Sequence, residues 1–205
     1  MALENLKSIL KIGSPIDGGG NIGMFTLRAF AGLEAERYSP VRFAVYEPVP
    51  QSLEQIKKHL SMNGIQAEVV EACLGGTPRT IPFYCRDAIA SSFDSTKPYS
   101  KVIEIPVKTL RDAVGAAPAE RITMKLDIEG MEIEALTAFI PTEQRAVYLI
   151  GELHGAAQNI PIMQDLFRKY GWTLELHEVA NDACTFRGCS PAALPLLASF
   201  AGIPQ

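Results

Sequence analysis

Residues 16–26 read Ile-Asp-Gly-Gly-Gly-Asn-Ile-Gly-Met-Phe-Thr. An acidic residue enters a glycine cluster and an apolar segment leaves it. Such a stretch turns a buried strand sharply into a helix and leaves backbone N–H groups facing a ligand. It commits the chain to an α/β fold in which the first strand lies inside an open sheet, and it points to a nucleoside-bearing cofactor. Gly18-x-Gly20-x-x-Gly23 also matches the dinucleotide fingerprint, and Glu47 follows where a ribose-binding acid belongs.

The rest of the chain reads as strands alternating with helices. A short amphipathic helix is expected over residues 2–12, carried by Leu3, Leu6 and Leu10. Strands are expected near 15–17, 41–46, 67–74, 122–128 and 146–153, and helices over 22–33, 50–62, 129–139 and 160–170. A terminal antiparallel pair is expected over 172–179 and 183–188. Residues 77–106 break the rhythm and suggest a hairpin insertion with a mobile loop, whose Ser91-Ser92-Phe93-Asp94 segment is a candidate lid. No repeat or linker divides the 205 residues, so one domain over 1–205 is expected. The pattern implies an open, mostly parallel sheet with helices on both faces.

Composition narrows the function classes. Nineteen Lys and Arg against 23 Asp and Glu give a net charge of −4, so no nucleic-acid or membrane-surface partner is expected. No apolar run approaches a membrane span, and the first residues lack the basic-then-apolar order of a signal peptide. Cys73, Cys85, Cys184 and Cys189 lack metal-ligand spacing. They read as free thiols in a reducing, cytoplasmic setting, with a Cys184–Cys189 disulfide as the alternative.

Two features favour S-adenosylmethionine over a nicotinamide cofactor. Asp17 directly precedes the glycines, where a carboxylate would repel a pyrophosphate but welcome an ammonium. Asp127 and Glu129 add negative charge at the end of the fourth expected strand. Gly18 and Gly20 then let the cofactor's amino-acid end approach, with Asn21 in the same turn. Asp17 orders that loop and holds the ammonium, directly or through water, Glu47 (followed by Pro48) accepts the ribose hydroxyls, and residues near Cys73 and Leu74 flank the adenine. Lys125 and Asp127 share a strand face, which leaves open whether they simply pair or whether Asp127 acts at the ligand.

The Asp17–Gly23 turn, Tyr46-Glu47-Pro48-Val49-Pro50 and above all Lys125-Leu126-Asp127-Ile128-Glu129-Gly130-Met131-Glu132 resemble the FkbM-type S-adenosylmethionine-dependent methyltransferases. Pro106–Leu110 and Glu152 fit the same pattern, and the resemblance spans about residues 14–175. It implies a class I methyltransferase fold, Rossmann-like and seven-stranded, whose seventh strand is antiparallel. It also implies O-methylation of a hydroxyl on a small molecule, sugar or glycan, or natural product. Gly19 stands where the family often has Ala. The segment before the first strand is short, so a substrate cap is either missing or supplied by a partner subunit, as in a homodimer.

Asp127 is the first candidate for the base that takes the acceptor's proton, or for a metal ligand. Glu152 and His154 follow on the next strand, and with Asp127 they form a candidate site for a divalent ion such as Mg²⁺. His154 alone is a second candidate base. Glu129 is expected at a helix start, where a carboxylate also suits the dipole. The competing readings are an NAD-dependent oxidoreductase with a Rossmann site and a non-catalytic homologue that keeps the cofactor pocket.

Overall fold

The computed structural model describes residues 14–32, 43–85, 99–115 and 121–195. The expected helix over 2–12, the Ser91–Asp94 segment and the end of the tail lie outside them. The expected elements otherwise form. Strands β1 (Ser14–Gly18), β2 (Phe43–Tyr46), β3 (Ala67–Val70), β7 (Arg121–Leu126), β8 (Ala146–His154), β9 (Thr173–Ala180) and β10 (Ala183–Cys189) make one sheet in the order β3-β2-β1-β7-β8-β10-β9. The β3-β2-β1-β7-β8 pairings are parallel, and β10 runs antiparallel to both β8 and β9. This is the seven-stranded arrangement, with its one reversed strand, that the family resemblance implies.

Alternation along β2 sets the two faces. Phe43 and Val45 pack with Ala29 of α1 (Met24–Gly32) and with Ile56 and Leu60 of α2 (Pro50–Met62). Ala44 and Tyr46 point the other way, into the main core. That core includes Leu110 of α3 (Leu110–Gly115), Leu136 and Phe139 of α4 (Glu132–Phe139) and Met163 and Phe167 of α5 (Ala156–Lys169). Trp172 meets Phe139 and Phe167 edge-on, with ring centroids 6.3 and 5.9 Å apart. Removing the wholly buried Phe167 ring would cost about 3–5 kcal/mol.

A second sheet has the order β4-β6-β5, built from β4 (Cys73–Gly75), β5 (Arg79–Cys85) and β6 (Lys101–Thr109). The expected hairpin insertion is its antiparallel β5–β6 pair, with Ile81 opposite Ile105. The continuous strand expected over 67–74 is divided between the sheets. The chain turns at Glu71-Ala72, where the Ala72 N–H bonds Val70 O, and Cys73 joins β6 instead.

Two helix starts also differ from expectation. α4 begins at Glu132, not at 129, because Glu129 and Gly130 adopt φ of 57° and 104° and turn the chain first. α5 begins at Ala156, ahead of the Ile160-Pro161 pair that reads as a first turn. Gly155 caps it at φ 63°, while the Ala156 and Ala157 N–H groups bond the backbone and side-chain oxygens of Asp182 in the β9–β10 turn. All four cysteines are free and buried. Among the described residues, no helix is long and apolar enough to cross a membrane.

Candidate cofactor and acceptor site

The strand order reverses between β1 and β7, and open α/β sheets bind ligands just outside the strand ends at such a point. A cavity of about 360 Å³ opens there. Its rim takes Gly19 and Asn21 from the glycine turn, residues 46–52 from the end of β2 and the start of α2, and Asp127–Glu129 from the loop after β7. The small sheet closes the far side with Cys73, Leu74, Phe83, Cys85 and Ile103. Apolar walls with a few convergent polar groups are the ordinary make-up of a small-molecule site.

The glycine turn is held from beneath. Gly19 N and Gly20 N both donate to Tyr46 O at 3.0 Å. Gly19 has φ 74°, and a Cβ there would sit 1.8 Å from the Asp127 carbonyl oxygen, so only glycine lets the two loops meet. Lys125 passes below and donates to Gly19 O. Its Nζ also stands 3.3 Å from Asp127 Oδ2 and 3.7 Å from Asp17 Oδ1.

Asp17 orders the turn from behind the cavity wall. It is 1 % exposed and does not line the cavity. Its Oδ2 accepts from Thr26 Oγ1 at 2.8 Å, and burial pushes its carboxyl above the ordinary range against the pull of Lys125. Gly18 and Gly20 likewise lie behind the wall, where a Cβ would meet Leu74 at 2.9 Å and Val45 at 2.4 Å. Close packing against neighbouring strands, β4 and β7 at Gly18 and β2 at Gly20, explains both glycines. Gly19 and Asn21 are the members of this turn that reach the cavity.

Glu47, Pro48, Cys73 and Leu74 line the cavity, as the sequence suggests. The Glu47 carboxylate accepts from Asn21 N at 2.7 Å and Val49 N at 2.9 Å, which leaves acceptor capacity on both oxygens. Burial pushes its pKa up to about 7, opposed by those two N–H groups. Burial also raises the thiol pKa of Cys73, which makes it an inert wall.

A second cluster forms where β7 and β8 end. His154 Nδ1 lies 3.0 Å from Glu132 Oε1, and Nε2 lies 3.7 Å from Glu129 Oε2. Glu132 is wholly buried and also accepts from the N–H groups of Ile128 and Gly130. These carboxylates raise the His154 pKa to about 9, with the Glu132 hydrogen bond the largest cause. Burial holds Glu129 above the usual carboxylate range, opposed by His154.

The structure brings Asp127, Glu129 and His154 together, with one donor atom from each within 4.8 Å of the others. Glu152 lies outside this trio. Glu129 takes the place in it that the sequence reading gave to Glu152. Glu132 is not singled out by the sequence, because its partner His154 lies 22 residues away. The Glu129-Gly130-x-Glu132 spacing was its one available signal.

No protein-family profile matches the chain. It is 25% identical over 144 residues to Methyltransferase 1 of Beauveria bassiana (strain ARSEF 2860). The match covers 59% of this chain and 56% of that protein, so the chain matches little more than half of its curated relative's length. Among solved structures it resembles precorrin-6y C5,15-methyltransferase from Geobacter metallireducens GS-15, with a TM-score of 0.53 and 12% identity over 91% of this chain and 86% of that one. An rRNA methylase from Streptococcus thermophilus gives a TM-score of 0.53 at 11% identity over 93% of each chain. The shared architecture is the Rossmann-like class I methyltransferase fold.

Proposed function

We propose that this chain is an S-adenosylmethionine-dependent methyltransferase of the FkbM type that methylates a hydroxyl of a small molecule, sugar or natural product. One observation carries the reading. The cavity at the strand-order reversal presents the carboxylates of Glu47, Asp127 and Glu129, with Lys101 as the one lysine or arginine among its described lining residues. That donor set suits a cationic nucleoside and repels a pyrophosphate, which argues against the nicotinamide alternative. The three motifs that resemble the FkbM family all border this cavity. The Beauveria relative adds its name, Methyltransferase 1, as support.

The residues fit the cofactor in a consistent order. Pro48, Val49, Cys73 and Leu74 would hold the adenine, Glu47 the ribose hydroxyls, and the Gly19–Asn21 turn the amino-acid end. When bound, S-adenosylmethionine supplies an electrophilic methyl group on a sulfonium. The chain's own task is alignment and proton removal. The cavity walls exclude water and set the line of attack. Asp127 lines the cavity and would take the proton of the acceptor's hydroxyl as that hydroxyl oxygen receives the methyl group. His154 does not line the cavity, and Glu132 holds its Nδ1. The choice of a hydroxyl acceptor rests on the family resemblance.

Calorimetric titration with S-adenosylmethionine, S-adenosylhomocysteine and NAD tests the reading. Micromolar binding of the first two, lost in Glu47→Ala, is expected. Binding of NAD instead would overturn it.

A further inference from the structure

We infer that Asp127, Glu129 and His154 form a binding site for a divalent transition-metal ion, with Mn²⁺ or Zn²⁺ favoured over Mg²⁺, at the acceptor end of the cavity. The inference rests on the methyltransferase reading for its role, but not for its geometry. Two carboxylates and one imidazole converge from two strand ends, each with a donor atom within 4.8 Å of the others. His154 Nε2 and Glu129 Oε2 are 3.7 Å apart. Ligands about 2.1 Å from an ion at the tetrahedral angle lie about 3.4 Å from one another, so the trio needs only a small closure around an ion.

The imidazole is aimed as a ligand would be. Its Nδ1 is pinned at 3.0 Å to Glu132, a carboxylate with 0 % exposure that is itself fixed by the Ile128 and Gly130 N–H groups. A buried carboxylate on one ring nitrogen, with the other nitrogen facing two more carboxylates, is how proteins orient histidine toward a metal. Imidazole favours transition ions over Mg²⁺. Lys125 accompanies Asp127, whereas Glu129 has His154 as its ion-pair partner among the described residues. Two carboxylates neutralise a dication.

Asp127 and Glu129 both line the cavity, so positions on the ion not taken by the protein face it. Such an ion would acidify a hydroxyl acceptor bound in the cavity and so ease the loss of its proton.

The test is titration of the chelator-stripped full chain with MnCl₂, ZnCl₂ and MgCl₂, followed by calorimetry and by the Mn²⁺ electron paramagnetic resonance signal. One Mn²⁺ or Zn²⁺ per chain is expected, bound more tightly than Mg²⁺. Asp127→Asn and Glu129→Gln alter side chains more than a third exposed, so folding is not at risk. Each should weaken binding at least tenfold, and Glu132→Gln about 10–100-fold. Glu134→Gln, which removes an exposed partner of Arg79, should leave binding unchanged. Absence of stoichiometric binding, or binding undiminished in Asp127→Asn and Glu129→Gln, overturns the inference. S-adenosylmethionine affinity of the stripped protein is measured in parallel. Its loss would sink the methyltransferase reading, and its retention without metal binding would sink only the ion site.

Discussion

The backbone N–H of Asn21 donates to the Glu47 carboxylate at 2.7 Å, so the end of β2 fixes the glycine turn and lines the cavity with the same side chain. Two roles on one residue give separable predictions. Glu47→Ala should lose both ribose contacts and weaken S-adenosylmethionine binding by 2–4 kcal/mol, roughly 30- to 1,000-fold. Glu47→Gln keeps one acceptor oxygen and should fall between Ala and wild type. Calorimetric titration of the three proteins gives the ranking, and equal affinities would remove Glu47 from the ribose site.

The pH dependence follows from the same carboxylate. Its ordinary value of 4.5 is raised to about 7 in the folded chain. A folded pKa above the unfolded one gives stability that is complete below pH 4.5 and lost as pH rises through 7. The loss attributable to Glu47 is about 3 kcal/mol. Urea unfolding of wild type and Glu47→Gln at pH 5 and 8 isolates it, since the other groups titrate in both. Cofactor binding should run the other way. The ionised carboxylate accepts the ribose hydroxyls, so affinity should rise about tenfold per pH unit up to 7 and then level off. A wild-type stability slope equal to that of Glu47→Gln would contradict the assignment.

How far the sequence discloses this site depends on the kind of contact. The glycine turn, Glu47 and the Asp127 segment were legible because each is a local motif at a strand end. Gly18 and Gly20 were legible as required glycines, while their close approach to Leu74 and Val45 comes from tertiary packing that the local motif does not show. The break at Glu71-Ala72 was hidden because residues 67–74 carry unbroken strand character and only the pairing partner changes, from β2 to β6. The start of α5 was hidden because Pro161 mimics a first-turn proline, while the partner of its first N–H groups, Asp182, comes from the β9–β10 turn on the neighbouring strand pair. The Glu132–His154 pair joins residues 22 apart through tertiary packing, which no local pattern encodes.

Gly19→Ala tests the meeting of the glycine turn with the β7 loop. The new methyl group would stand 1.8 Å from the Asp127 carbonyl oxygen at a backbone φ of 74°. Backbone atoms cannot swing aside as a side chain can, so both loops must move. A loss of about 2–4 kcal/mol in urea unfolding is expected, together with loss of cofactor binding. Gly64→Ala is the control. It shares the positive φ, at 65°, but nothing lies within 4 Å of the added carbon. Its loss should stay near 1 kcal/mol with binding intact. Equal effects at both positions would mean that φ alone matters and that the close approach does not.

Lys125 is the cation beneath the site, and its removal should be costly for one reason above the others. Asp17 is 1 % exposed and its Oδ1 makes no hydrogen bond, so the Lys125 ammonium 3.7 Å away is what offsets that oxygen's burial. Lys125→Met keeps the stem and deletes the charge. It leaves a buried carboxylate without its counter-ion, which costs about 3–5 kcal/mol. Asp17→Asn removes the opposing charge and keeps an acceptor for Thr26. The double variant should therefore regain part of the stability lost in Lys125→Met, with a coupling of about 1–3 kcal/mol in the cycle. Asp127, with more than a third of its side chain exposed, should show a coupling to Lys125 under about 1 kcal/mol. Chemical unfolding of the two cycles decides the matter. Stronger coupling to Asp127 than to Asp17 would shift the main role of Lys125 from supporting the turn to tuning the acid at the cavity.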